Sequence, residues 1–241
     1  MNRIILLLIA ILFFNYTSNA QNLKDIKKAA KKVTTESSSS KLTEDEVAKG
    51  LKEALTKGIE KGVKQLSKPD GYFKDLEIKI LMPKEAKTVE EKLRALGQDK
   101  MVDDAIESMN RAAEDAATEA KDIFVNAIKE LTLKDVMNIL HGDDNAATKY
   151  LENQTRGQLT EKFKPVIKAS LEKVGATKYW KTVFTTYNKI PLVKKVNPDL
   201  VSHVTKKAID GLFKQIAKEE KEIRKNPAAR VTDLLKKVFG S

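Results

Sequence analysis

Very little in this sequence could move a proton or an electron pair. Cysteine is absent and the two histidines are His141 and His203, so no Cys–His nucleophile pair can form. Neither G-x-S-x-G nor H-E-x-x-H occurs, and no phosphate-cradling G-x-x-x-x-G-K-[ST] is present. His141 falls at the end of a helical stretch, where an imidazolium meets the negative end of the backbone dipole; capping fits it better than catalysis. His203 lies inside an amphipathic stretch and reads as a surface or core-lining residue. Asp143-Asp144-Asn145 gathers oxygen donors suited to hard cations, but it lacks the alternate spacing and following glycine of a calcium loop, so helix capping is the better reading. Glu219, Glu220 and Glu222 are interleaved with lysines, which predicts a solvated face. The remaining polar set is Asn110 and Glu114. Helical periodicity puts Asn110 on the margin of an apolar stripe and Glu114 just outside it. A pair placed there either joins helices or lines a pocket. Joining is the favoured role, because buried polar groups are generally satisfied by the structure around them. No metal-ligand set and no cofactor motif accompanies these residues.

The element that carries this pair organises the chain. From Met101 to Leu131 the apolar positions Val102, Ile106, Met109, Ala113, Ala116, Ala120, Phe124, Ala127 and Leu131 recur at the period of an α-helix. Alanines at 112, 113, 116, 117 and 120 let neighbouring helices approach its backbone. The spacing predicts one central helix of an all-α domain. Before it, Thr43-Glu44-Asp45-Glu46 is a capping box. It opens a helix with Val47, Leu51, Leu55, Ile59 and Val63 on one ridge and Gly50, Ala54, Gly58 and Gly62 on the next. Three glycines inside a helix disfavour it by roughly 1 kcal/mol each, so something must pack very close there. Ser67 to Gly71 is turn chemistry. The only extended segment expected lies near 76–82, closed by Pro83, with a short helix from Lys84 to Gly97.

Beyond the central helix, Thr132 with Asp135 opens a short helix that Gly142 closes. Asp143 or Asp144 caps the next, which is expected to bend at Pro165 and end at Gly175. Thr177 to Lys189 carries Tyr179, Trp180, Phe184 and Tyr187, which read as core. Asn197-Pro198 and Asn226-Pro227 each combine an N-cap with proline at the first helical position, predicting two final helices. The late apolar residues Leu234, Leu235, Val238 and Phe239 predict a docked C-terminus.

At the other end, Met1 to Arg3, the apolar run Ile4 to Phe14, and Ser18-Asn19-Ala20 predict a signal peptide cleaved after Ala20. The run falls short of the roughly 20 residues that span a bilayer, and no later run does, so the mature chain is expected not to be transmembrane. No Cys follows the cleavage point, which excludes a lipoprotein anchor. The expected organisation is signal peptide 1–20, a polar tether 21–42 and a single helical domain 43–240, periplasmic or else secreted. Apolar residues make up 41% of the chain, enough for an ordinary core without disulfides.

The formal net charge is +11, and it is unevenly placed. Gln21 to Leu131 carries 22 Lys/Arg against 22 Asp/Glu, whereas Thr132 to Ser241 carries 22 against 12. Lysines solvating helix faces account for this most simply. The sharper alternative is a surface facing an anionic lipid or glycan of the envelope. Nucleic acid is a poor partner for an exported chain without a recognisable binding motif.

Several motifs together resemble one family. They are Gly50-Leu51-Lys52-Glu53-Ala54-Leu55, Asp70-Gly71-Tyr72, Asn110-Arg111-Ala112-Ala113-Glu114, Asp144 through Tyr150 (DNAATKY), Gly211-Leu212-Phe213 and Pro227-Ala228-Ala229-Arg230 with Asp233-Leu234-Leu235. Over residues 45 to 240 the chain resembles the exported bacterial family known as domain of unknown function 4197. Asn226 stands where the family pattern leads us to expect an acidic residue; both types cap helices. The resemblance implies a single helical domain and brings no reaction or ligand. It nominates Asn110, Arg111, Glu114, Asp144, Thr148, Tyr150, Arg224, Arg230 and Asp233 as candidate polar site residues. Three functions then compete: non-enzymatic binding of an anionic or amphipathic envelope ligand or a protein partner; an enzyme using Glu114 as base with Arg111, Arg224 or Arg230 holding an anionic substrate; and a structural or assembly role through the glycine ridge.

Overall fold

The structure, a computed structural model, describes residues 42–189, 191–192, 195, 199–230 and 232–240. The predicted signal peptide and nearly all of the tether lie outside these residues, as does the Asn197-Pro198 start signal. Nine α-helices form among the described residues: α1 Glu44–Leu66, α2 Lys87–Ala95, α3 Asp99–Ala117, α4 Ala120–Lys129, α5 Leu133–Leu140, α6 Ala146–Lys173, α7 Ala176–Tyr187, α8 Leu200–Lys225 and α9 Asp233–Gly240. The fold is all-α.

The expected central helix is two helices. At the break, Thr118 Oγ1 donates to Asp115 O at 2.9 Å, and Glu119 N reaches Ala116 O at 3.1 Å, three residues back instead of four. Both residues keep right-handed backbone angles, and the chain tightens locally into a three-residue turn. The alanine stripe spans the break, with Ala112, Ala113, Ala116, Ala117 and Ala120 all fully buried. Against it pack α6 and α8, which run antiparallel, since Thr148 of α6 meets Glu220 of α8 while Arg156 meets Asp210. Leu151, Leu159, Phe163, Ile167 and Leu171 keep α6 in the core on both sides of Pro165, which stands inside the helix.

α1 begins with the expected capping box, Thr43 with Glu46. Its glycine ridge is an internal crossing. A Cβ on Gly58 would lie 3.3 Å from Ile223, one on Gly62 3.5 Å from Gln215, and one on Gly50 2.7 Å from Val238 of α9. The surface proposed for assembly is therefore covered by this chain's own helices. We expect Gly50→Leu to lever α9 away at a cost of about 1–3 kcal/mol, read as faster proteolysis of the C-terminus with the rest of the domain intact.

Asn226-Pro227 starts only a single 3₁₀ turn, in which Asn226 Oδ1 accepts from Ala228 N at 3.0 Å; the last helix proper starts at Asp233. The segment between α1 and α2 contains turns followed by an irregular stretch over 79–83, and no strand forms among the described residues. It folds back tightly at Gly71, where a Cβ would come within 2.5 Å of the carbonyl oxygens of Gln65 and Leu66.

Candidate functional site

Seven of the nine nominated residues gather at two junctions, and each junction supplies side-chain partners to backbone groups outside the helix ladders. The first fastens the irregular 67–83 segment to α3. Asn110 is fully buried. Its Oδ1 accepts from Ile80 N at 2.8 Å while its Nδ2 donates to Ile80 O at 2.9 Å and to Ile106 O at 2.7 Å. A side-chain amide thus supplies what a neighbouring strand would have supplied to Ile80. One turn on, Glu114 Oε1 accepts from Tyr72 N at 3.0 Å and Phe73 N at 3.1 Å, and its Oε2 accepts from Arg111 Nη1 at 2.8 Å. Arg111 Nη2 reaches Asp70 at 2.8 Å and Glu107 at 3.0 Å. The Arg111 and Lys74 cations beside Asp70 hold its carboxyl below the usual range, Lys74 most strongly. Tyr72, fully buried against Gly211, closes the joint by donating its hydroxyl to Ala208 O at 2.8 Å.

The second junction joins α5, α6 and α8. Asn145, the N-cap residue of α6, makes no side-chain cap bond, and Asp143 and Asp144 do not cap it either. They pair with Lys149 and Lys225 instead. The cap comes from α8: Glu220 Oε1 accepts from Ala147 N at 3.0 Å, and its Oε2 accepts from Thr148 N at 2.9 Å and Thr148 Oγ1 at 2.7 Å. A carboxylate here also answers the positive end of the helix dipole. Arg224, one turn along, donates to Glu220 Oε1 at 2.8 Å and to two carbonyls at the end of α5, Ile139 O at 2.7 Å and Leu140 O at 3.3 Å. His141 completes that end through Nδ1 and Met137 O at 3.0 Å, the capping role its position predicted. Arg230 caps α8 in turn, donating to Ile223 O at 3.1 Å and Arg224 O at 2.8 Å. Tyr150 packs at the core edge, and Asp233 is exposed and paired with Lys236.

Arg224 and Arg230 thus lie at a different junction from Glu114 and Arg111, and all four side chains are engaged with the protein itself. Of the three arginines, only Arg111 meets Glu114. Among the described residues no group of three or more His, Asp or Glu side chains is placed to hold a metal ion. No described helix is long and apolar enough to cross a membrane.

A concave site lies elsewhere. Between α2, α3 and the corner where α6 turns into α7 runs a groove of about 1310 Å³. Met82, Val89 and Leu93 form one wall, Val102 and Met109 of α3 the floor, and Val174, Trp180 and Phe184 the far wall. Gly175, with φ +71°, makes the corner. Met101 and Val174 remain more than half exposed at its margin. Most charges around it are already paired: Lys100 with Asp104 at 2.7 Å, Glu90 with Arg94 at 3.2 Å, Glu107 with Arg111. Asp115 accepts from Ser170 Oγ at 2.7 Å, tying α3 to α6.

A family model described as "Protein of unknown function (DUF4197)" matches residues 41–240. The chain belongs to the DUF4197 family. No curated protein and no solved structure matches it.

In this DUF4197 domain, three of the motifs that carry the family resemblance map onto the two junctions, NRAAE onto the first, DNAATKY and the PAAR end onto the second, whereas Gly50–Leu55 lies in α1 against α9. The residues that sequence reading missed are Glu219 and Glu220. Both are only 6% exposed, and Glu219 is held by Lys61 at 2.7 Å and Gln215 at 2.9 Å. Their spacing from Ile216 and Ile223 continues the apolar stripe of α8, a signal hidden by the surrounding lysines. Glu222 is exposed, as predicted.

His203 also departs from a plain surface role: its Nε2 lies 3.2 Å from Leu81 O, linking α8 to the irregular segment. Burial pushes its imidazole below the ordinary 6.5, aided by Lys207 and Lys206 and opposed by the Leu81 carbonyl and Glu85. With the folded value depressed, the unfolded chain binds the proton first, so stability falls as pH drops through 6.5 and below. His203→Gln should flatten that slope in urea midpoints measured between pH 7 and 5.

Proposed function

We propose that this DUF4197 protein is an exported, non-enzymatic binding protein that holds an amphipathic ligand in the groove between α2, α3 and the α6–α7 corner. The observation that carries the reading is the groove itself. Small-molecule pockets typically occupy about 300–1000 Å³ and are predominantly apolar with a few polar groups. This one is larger, and of the helices around it α3 enters the first junction and α6 the second. The nominated polar residues act as fasteners that position its walls.

Export to the periplasm, with cleavage after Ala20, is part of the proposal and rests on the sequence of residues 1–20. An anionic surface in the envelope is a further candidate for the lysine-rich second half. Affinity for anionic vesicles should then fall from low to high salt. The direct test is native mass spectrometry of protein purified from its own host, with a parallel denatured sample to release and identify anything carried along. A stoichiometric amphiphile supports the reading; protein that is bare and takes up no added amphiphile overturns it.

A further inference from the structure

Of the helices that wall the groove, α2 alone has no buried residue; α3, α6 and α7 each sink side chains into the core. Its apolar residues Val89 and Leu93 are half-buried and line the groove. It has nine residues and no side-chain cap at its start. Isolated helices shorter than about 12–15 residues are marginal in water, so α2 depends on the contacts it makes. These are few. It packs chiefly on α3 and on the 3₁₀ turn Lys84–Ala86 before it. Among the described residues its ion pairs to α3 all run through Arg94, to Asp99 at 3.3 Å and to Asp103 at 2.9 Å. Beyond its end Leu96 is 74% exposed, and at Gly97, with φ +72°, a Cβ would meet no atom within 4 Å. Nothing packs on that turn to hold it.

We infer that α2 is a gate on the groove: it opens by local unfolding, with Arg94 as its latch, and an amphiphile enters through the opening. Elements with few buried apolar contacts open at a free energy well below that of the whole domain. The walls behind α2 stay in place, because Asn110 fastens α3 at the first junction and Thr148 fastens α6 at the second. The latch is weak by design of its surroundings, since the Asp99 and Asp103 side chains are both more than half exposed and salt screens such pairs. An apolar occupant would give Val89 and Leu93 the burial they lack and so close α2 over itself. This deepens the proposed binding function and rests on it.

The test is amide hydrogen exchange of the purified full chain, resolved over α2 and α3, together with stopped-flow uptake of the fluorescent amphiphile anilinonaphthalene sulfonate. Uptake is read by energy transfer from Trp180, the sole tryptophan, which lines the groove. Exchange in α2 should be about a hundredfold or more faster than in the buried part of α3. Arg94→Gln should speed it about threefold at low salt and little at high salt. Lys121→Gln removes the same charge and an exposed pair with Glu60 far from α2 in the chain, and should leave α2 unchanged. The uptake rate should level off as probe concentration rises, at the rate of opening, and Arg94→Gln should lift that plateau. Exchange in α2 as slow as in α3, exchange indifferent to Arg94→Gln, or an uptake rate that climbs linearly without a plateau would each overturn the gate while leaving the groove a binding site. No uptake of the probe would overturn the binding reading and the gate with it.

Discussion

Arg224→Ala should cost the fold about 3–5 kcal/mol, the penalty for leaving a buried carboxylate without its cation. The Arg224 and Glu220 side chains are 12% and 5% exposed, so water is poorly placed to replace either. The substitution also removes the guanidinium donor from Leu140 O and from Ile139 O, which keeps the Gly142 amide at 3.3 Å. Urea unfolding measures the loss, with Asp144→Ala as the control. Asp144 pairs with Lys225 across a surface where both side chains are 54% exposed, and such pairs contribute at most about 1 kcal/mol. If the two variants lost equal stability, the corner of α5, α6 and α8 would not depend on this ion pair. Glu220→Gln gives a graded case. It retains one acceptor for the first turn of α6 and loses the charge that Arg224 and the helix dipole both favour.

Asn110→Ala is the second large loss, about 2–5 kcal/mol, since it leaves the N–H and C=O of Ile80 bare at about 1–3 kcal/mol each. Ile80 is 1% exposed, which keeps solvent from substituting for the lost amide. Asn110→Asp separates the two halves of the contact. A carboxylate still accepts from Ile80 N, but it cannot donate to Ile80 O or Ile106 O. Hydrogen exchange at the Ile80 amide should therefore speed up strongly in Asn110→Ala and less in Asn110→Asp. Unchanged exchange in both would mean that the irregular segment is held by Glu114 and Tyr72 alone.

The helices were legible because most of their information is local. Period, capping boxes at Thr43 and Thr132, and the glycines at 97 and 175 depend on residues within a few positions of one another. What escaped was long-range. The break at Thr118 turns on one hydroxyl that competes with the helix ladder, on an otherwise uninterrupted apolar period. Asp143 and Asp144 looked like caps because nothing nearby disclosed that a glutamate of α8 would take that place. Glu220 looked solvated because its neighbours in sequence are lysines, while its neighbours in space are backbone amides. The groove was invisible for a similar reason. Met82, Met109 and Trp180 are apolar residues of three separate segments, and periodicity does not distinguish the wall of a cleft from the interior of a core.

The capping of α6 by Glu220 has a kinetic side. The amides of Ala147 and Thr148 wait for an acceptor 73 and 72 residues downstream. Closing a loop of that length is paid for in chain entropy before the contact gives anything back. The corner between α5 and α6 should thus be among the last parts to become protected as the chain folds. As the chain is synthesised N-terminus first, α6 emerges well before the residue that secures its first turn, and the domain would lock only when its final tenth arrives.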